Sequence, residues 1–191
     1  MNKDPVNQFA KWFEEAVQSE SAEANAMILS TVNSNNHPSS RVVLLKSFSQ
    51  DGFTFFTNYE SRKGIEIAHN NKVALLFFWD KQMRQVRIEG IASKIDPALS
   101  DEYFNSRPRE SKASSLLSRQ SKPLPDRSHF DIKIEELASS SKEIVRPATW
   151  GGYLITPFYF EFWQGGSGRA HDRFEYRKSD AGRWEITRLY P

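Results

Sequence analysis

The stretch 27–57, MILSTVNSNNHPSSRVVLLKSFSQDGFTFFT, decides the architecture. Met27 to Val32 is a short β-prone run, closed by Asn33-Ser34-Asn35-Asn36-His37-Pro38, a dense turn signal. Arg41 to Phe48 reads as the next strand, and Asp51-Gly52 turns the chain into a third, Phe53 to Thr57. The gaps are too short for crossover helices, so neighbouring strands run antiparallel. Beyond them, Ser61 caps a short helix through Ile65 to Ala68, and Val73 to Trp79 and Gln85 to Ser93 supply two more strands.

Toward the amino terminus, Asp4-Pro5 is a helix cap followed by a first-turn proline, and Phe9, Trp12, Phe13, Ala16 and Val17 fall on one helical face. Asp96-Pro97 repeats that signature and opens a helix through Leu99, Tyr103 and Phe104, which Arg107-Pro108 interrupts. Glu110 to Ser118 reads as a further helix, Gln120 to Ser128 as a loop, and Asp131 to Glu143 as helix. Trp150 to Tyr190 returns to strands, broken by Pro157, by Gly165-Gly166-Ser167-Gly168 and by Ala181-Gly182. No repeat and no long linker divides the chain, so one α+β domain over 1–191 is expected, mainly an antiparallel barrel whose edges close on themselves.

A chain of 191 residues hides roughly 70% of its unfolded surface, and 14 Phe, 6 Tyr and 5 Trp exclude a disordered polymer. Lys plus Arg number 26 against 24 acids, a net of +2, which argues against general nucleic-acid binding and sends any bound anion to local cation clusters. The absence of cysteine excludes disulfides, thiolate metal sites and Cys nucleophiles. His37, His69, His129 and His171 are not at ligand spacing, so no metal is expected. Val73 to Trp79, the longest apolar run, is too short for a bilayer, and the first residues carry no signal pattern, which leads to the expectation of a cytoplasmic protein. Gly-x-Ser-x-Gly, Walker and Gly-x-Gly-x-x-Gly motifs are absent.

Four constellations could carry chemistry. If a strand begins at Arg169, then Arg169, His171 and Arg173 share one face and could hold an anion, after a Gly/Ser loop that lets backbone approach a ligand; the alternative is a surface lattice with Asp172, Glu161 and Glu175 as counter-charges. Arg41-Val42-Val43-Leu44-Leu45-Lys46 reads as a strand buried on both faces with cations that bind or merely reach solvent. Ser61-Arg62-Lys63-Gly64, at a helix start, is either an anion site or an exposed basic turn. Tyr103 to Ser111, with Arg107 and Arg109 around a helix break, is a possible second phosphate cradle, and Arg119-Gln120-Ser121 is weaker still.

Taken together and in order, Arg41 to Lys46, Ser61-Arg62-Lys63, Arg84-Gln85-Val86, Ser106-Arg107-Pro108-Arg109, Arg119-Gln120-Ser121 and the run from Trp150-Gly151-Gly152 through Glu161-Phe162-Trp163-Gln164-Gly165 to His171-Asp172-Arg173 resemble the pyridoxine/pyridoxamine 5'-phosphate oxidase family, over nearly the whole chain. The resemblance implies an FMN-binding split β-barrel with peripheral helices, working as a homodimer with each flavin between subunits. It implies oxidation of pyridoxamine or pyridoxine 5'-phosphate to pyridoxal 5'-phosphate, with O2 as electron acceptor and H2O2 as product. Carried over by position, the FMN contacts would be Arg41, Val42, Val43, Leu44, Leu45, Lys46, Phe56, Thr57, Arg62, Lys63, Gln85, Gln120, Ser121, Trp163 and Arg173. Lys46, Tyr103, Arg107 and Ser111 would cradle the substrate phosphate, with Arg169 and His171 at its reacting end. Arg62 and Lys63 would answer one phosphate, Arg107 and Lys46 the other.

Against the family pattern, Phe56 stands where Tyr is usual, Ala170 where Leu is usual, and a basic amino-terminal arm is not seen before the first helix. The competing readings are a related split-barrel flavin oxidase on another substrate, such as those of phenazine pathways, and a non-catalytic FMN or pyridoxal-phosphate carrier.

Overall fold

The computed structural model describes residues 1–19 and 23–191. Among the described residues are five α-helices and nine strands. Helix α1 (Pro5–Gln18) leads into β1 (Ala26–Val32), β2 (Pro38–Leu44), β3 (Ser47–Ser49) and β4 (Gly52–Asn58). Helix α2 (Arg62–His69) precedes β5 (Lys72–Trp79) and β6 (Arg84–Lys94). Then come α3 (Pro97–Ser106), α4 (Arg109–Leu117), α5 (Arg127–Ser139), β7 (Trp150–Gln164), β8 (Asp172–Lys178) and β9 (Trp184–Leu189).

Every strand pairing is antiparallel, in the order β2-β1-β5-β6-β7-β4-β3, with β8 and β9 continuing from the second half of β7. The two ends of that order, β2 and β3, are consecutive in sequence and joined by Leu45 and Lys46 alone. A two-residue link cannot span an open sheet, so the sheet curls until its ends meet. The ends meet without pairing: Lys46 N–H donates instead to the Thr54 carbonyl at 2.9 Å, across β4. The result is the antiparallel split barrel that the resemblance implies, not the barrel with self-closing edges read from the strand pattern, because β2 and β3 meet at the seam, Val42 to Lys46, without pairing.

Inside, Phe9, Phe53, Phe55, Phe77, Phe160 and Phe162 are fully buried. Asp4 caps α1, its carboxylate accepting from Asn7 N–H at 2.9 Å, and the helix sets Phe9 edge-on against Phe53 and Phe77 at 4.9 Å. Val6 and Pro5 join that buried face, whereas Val17, placed there by periodicity, is exposed.

Four local expectations need correction. Arg41 to Phe48 is not one strand: β2 stops at Leu44 and Lys46 lies in the seam. Val42 is not buried; it is 63% exposed, because β2 is an edge strand paired to β1 alone. Pro157 does not break β7. It sits where the β6 register shifts by one residue and between the stretches of β7 paired to β4 and β8, so its missing N–H falls in a gap of the ladder. Helix α5 begins and ends four residues before the expected 131–143, because the Asp126 carboxylate caps it by accepting from His129 N–H at 3.0 Å.

Candidate active site

A cleft of about 510 Å³ opens along the barrel seam, walled by β2, β4, α4 and the end of α3. Val42, Val43, Leu44 and Lys46 form one wall; Phe56, Thr57, Asn58 and Lys63 form the floor; Tyr103, Arg107, Ser111, Gln120 and Trp150 close the other side. Among the described residues three cations and no carboxylate line it. That imbalance is the first chemical fact about the cleft.

Lys63 is its deepest cation. Ser61 caps α2, its hydroxyl oxygen accepting from Gly64 N–H, and the second helical residue, Lys63, turns inward. Its ammonium is buried and donates to the hydroxyls of Thr57 at 3.2 Å and Ser61 at 3.4 Å and to the Gln120 side-chain oxygen at 3.0 Å. All three acceptors are neutral. Burial, helped by repulsion from Arg41, pulls the ammonium down to about 8.

Arg107 is the second. It ends α3, and its guanidinium lies 4.8 Å over the Trp150 ring while donating to Ser115 Oγ at 2.8 Å. Burial lowers its pKa as well. Tyr103 and Trp150 continue a stack begun by Phe56, whose ring centroid is 4.0 Å from that of Tyr103. Lys46 is exposed at the seam.

The structure thus brings together eleven of the residues expected at a site: Val42, Val43, Leu44, Lys46, Phe56, Thr57, Lys63, Tyr103, Arg107, Ser111 and Gln120. Leu45 is buried against the barrel core beside them. The others lie elsewhere. Arg41 and Arg62 both turn to Glu66, at 3.1 and 2.9 Å, and neither lines the cleft. Glu66 is buried; burial alone would raise its carboxyl, but hydrogen bonds from Thr31, Ser39 and Arg62 and the charge of Arg41 hold it at about 2. Ser121 Oγ accepts from Arg62 N–H at 3.1 Å, so protein hydroxyls take up the first N–H groups of α2. Arg109, proposed within a phosphate cradle, instead donates to the Ala138 and Ser140 carbonyls at 2.8 and 2.6 Å, closing the end of α5.

Gln85, Trp163, Arg169, His171 and Arg173 form a second group. Trp150 lines the cleft from the first residue of β7, and Trp163 is thirteen residues along the same strand, about 40 Å of chain at 3.3 Å per residue. Arg169 does not lie on a strand; it closes a 3-10 turn at Ser167–Arg169 with φ +63°, so it, His171 and Arg173 do not share a strand face. His171 Nδ1 accepts from Gly166 N–H at 3.2 Å and its ring packs 4.7 Å from Trp163. Arg173 makes a two-point pair with Glu161, at 3.0 and 3.1 Å, the counter-charge reading of that segment.

The register places part of this second group on one face. Phe78, Gln85, Trp163 and Arg173 are successive cross-strand partners, and Val42, Ile28 and Leu76 form the adjacent row. This face exposes large apolar side chains: Val42 at 63%, Phe78 at 56% and Ile28 at 37%.

Sequence reading missed Asn58, Ser114, Ser115, Ser118 and Trp150 in the cleft lining. A signal was present. Ser111, Ser114, Ser115 and Ser118 recur at helical spacing, which sets three hydroxyls along one side of α4 and a fourth at its C-cap.

Comparison with known proteins shows the family. The profile described as "Pyridoxamine 5'-phosphate oxidase" matches residues 13–141, and that of the "Pyridoxine 5'-phosphate oxidase C-terminal dimerisation region" matches 150–191. A pyridoxine/pyridoxamine 5'-phosphate oxidase of Janthinobacterium sp. (strain Marseille) is 50% identical over 98% of this chain and 90% of its own. One of Leptospira interrogans is 48% identical over 98% and 89%. Among solved structures, PhzG from Burkholderia lata 383, in complex with tetrahydrophenazine-1-carboxylic acid, superposes with a TM-score of 0.95 at 30% identity, covering 100% of this chain and 94% of that one. From its matched profiles and its close relatives, the chain belongs to the pyridoxamine 5'-phosphate oxidase family and is an oxidoreductase.

Proposed function

We propose that the chain oxidises pyridoxamine 5'-phosphate and pyridoxine 5'-phosphate to pyridoxal 5'-phosphate, using FMN held in the seam cleft of a homodimer. One observation carries the reading: among the described residues Lys63 and Arg107 have no acid partner, and they stand at different points of one cleft whose described lining holds no carboxylate. Each matches one of two phosphate dianions, that of a flavin and that of a vitamer. The residues fit FMN. Lys63, Thr57 and Gln120 would offer a charged and hydrogen-bonding pocket for its phosphate, and the β2 edge, with ladder groups unpaired on its outer side, would be free to hydrogen-bond its ring system.

When bound, FMN supplies a two-electron acceptor that dioxygen reoxidises with release of hydrogen peroxide. The chain's own part is alignment and charge. Arg107, with Lys46 and Ser111, would hold the vitamer phosphate, and Tyr103 would flank it. Arg169 and His171 of a partner subunit would cover the reacting carbon, and Gln85, Trp163 and Arg173 of that subunit would complete the flavin site. The exposed apolar face that Gln85, Trp163 and Arg173 share with Val42, and the match of 150–191 to a dimerisation region, support this shared arrangement.

Anaerobic mixing tests the reading. Pyridoxamine 5'-phosphate added to the FMN-loaded protein should bleach the yellow flavin, and air should restore the colour with pyridoxal 5'-phosphate in solution. A flavin that stays oxidised would refute it. The similarity to PhzG favours one alternative, a phenazine-type substrate; bleaching by a reduced phenazine carboxylate and not by the phosphorylated amine would select it.

A further inference from the structure

Three independent restraints converge on Arg107. Its backbone is extended, at φ −76° and ψ 151°, the conformation imposed on a residue preceding proline, here Pro108. One guanidinium nitrogen donates to Ser115 Oγ at 2.8 Å. The guanidinium lies 4.8 Å from the centre of the Trp150 ring, which is itself buried. Among the described residues none forms an ion pair with Arg107, so the fork is held by neutral groups, and its charge stays available to a ligand.

We infer that Ser115 and Trp150 are positioning residues that hold Arg107 as a preset fork for a phosphate monoester, and that they thereby set the preference for phosphorylated over unphosphorylated substrate. The inference rests on the reading of the cleft given above. A flexible arginine would lose side-chain freedom on meeting the phosphate; one already fixed in place loses little, and the gain appears as affinity for the ester alone.

The test is a double-mutant cycle with steady-state kinetics on the FMN-loaded enzyme, together with binding of pyridoxal 5'-phosphate measured by tryptophan fluorescence in the Ser115 variants. Ser115→Ala should raise KM for pyridoxamine 5'-phosphate about tenfold with kcat little changed, and Ser115→Thr should restore it. Trp150→Leu should raise KM about fivefold. In an Arg107→Ala background both effects should vanish, since neither residue acts except through Arg107. Unphosphorylated pyridoxamine should be handled alike by Ser115→Ala and the parent. An unchanged KM in Ser115→Ala, or an effect that persists undiminished without Arg107, overturns the inference while leaving the functional reading intact. A parent protein that neither oxidises the phosphorylated amine nor binds pyridoxal 5'-phosphate overturns both. If it binds without turnover, the same cycle on the dissociation constant decides the inference alone.

Discussion

Lys63 and Arg62 are neighbours in sequence with opposite fates, and the difference is a matter of angle. On a helix they point about 100° apart, so one reaches Glu66 a turn later and the other enters the cleft. The spacing of Arg62 and Glu66 was readable as an ion pair that turns Arg62 along the helix. Lys63 could not be separated in that way, because Thr57 and Gln120 come from distant segments. Its buried charge has a measurable consequence. With the ammonium at about 8 in the folded protein and 10.5 unfolded, the unfolded chain binds more protons between those values. The stability of the flavin-free protein should therefore rise as pH goes from 8 to 10.5. Lys63→Met should flatten that rise in thermal melts and stabilise the flavin-free form at pH 7, while weakening FMN binding roughly 10- to 100-fold by fluorescence titration. A variant that kept its flavin affinity would show that the phosphate lies elsewhere.

At the scale of elements, α2 is the piece on which the cleft floor depends. Ser61 as its cap was legible from the sequence, as were the Asp4 and Asp96 caps, since each is a local side chain-to-backbone pattern. What holds α2 against β1 and β2 was not, because Glu66 meets Thr31, Ser39 and Arg41 only in the fold. Glu66 is held at about 2 against 4.5 when free, so its contribution is complete above about 4.5 and is lost as pH falls toward 2. Glu66→Gln should cost about 3 kcal/mol at neutral pH in denaturant melts, by stranding Arg41, and should remove that part of the acid sensitivity. Gly64 makes the same docking possible from the other side: a Cβ there would stand 2.1 Å from the Tyr59 carbonyl oxygen. Gly64→Ala should therefore destabilise by about 1–3 kcal/mol and lower flavin retention, because α2 must back away from the strand end that precedes it.

For the whole molecule, the barrel was readable from strand spacing, since short connections force antiparallel neighbours. The reading of Val42 to Leu45 as buried on both faces failed at Val42, which this chain leaves exposed, because four apolar residues in a row describe a strand whose second covering can belong to another chain. The distance along β7 between Trp150 and Trp163 bears on the proposed site in the same way: if both residues belong to it, one chain would supply its two halves far apart. Mixing two crippled variants separates a shared site from a self-contained one. Lys63→Met damages the cleft half, and Arg169→Ala damages the distal half. If subunits exchange at random, half of the dimers are mixed, and in each of these one site combines two undamaged halves. With FMN held below the dissociation constant of the Lys63→Met protein, each variant alone should be nearly inactive, and activity should recover on mixing to about a quarter of the wild-type level. A site built within one chain would contain one damaged half in every subunit, so mixing would restore nothing. Phe78→Asp, which sets a charge in the exposed apolar face beside Gln85, should abolish the recovery by leaving monomers in sedimentation, whichever cleft variant it is combined with.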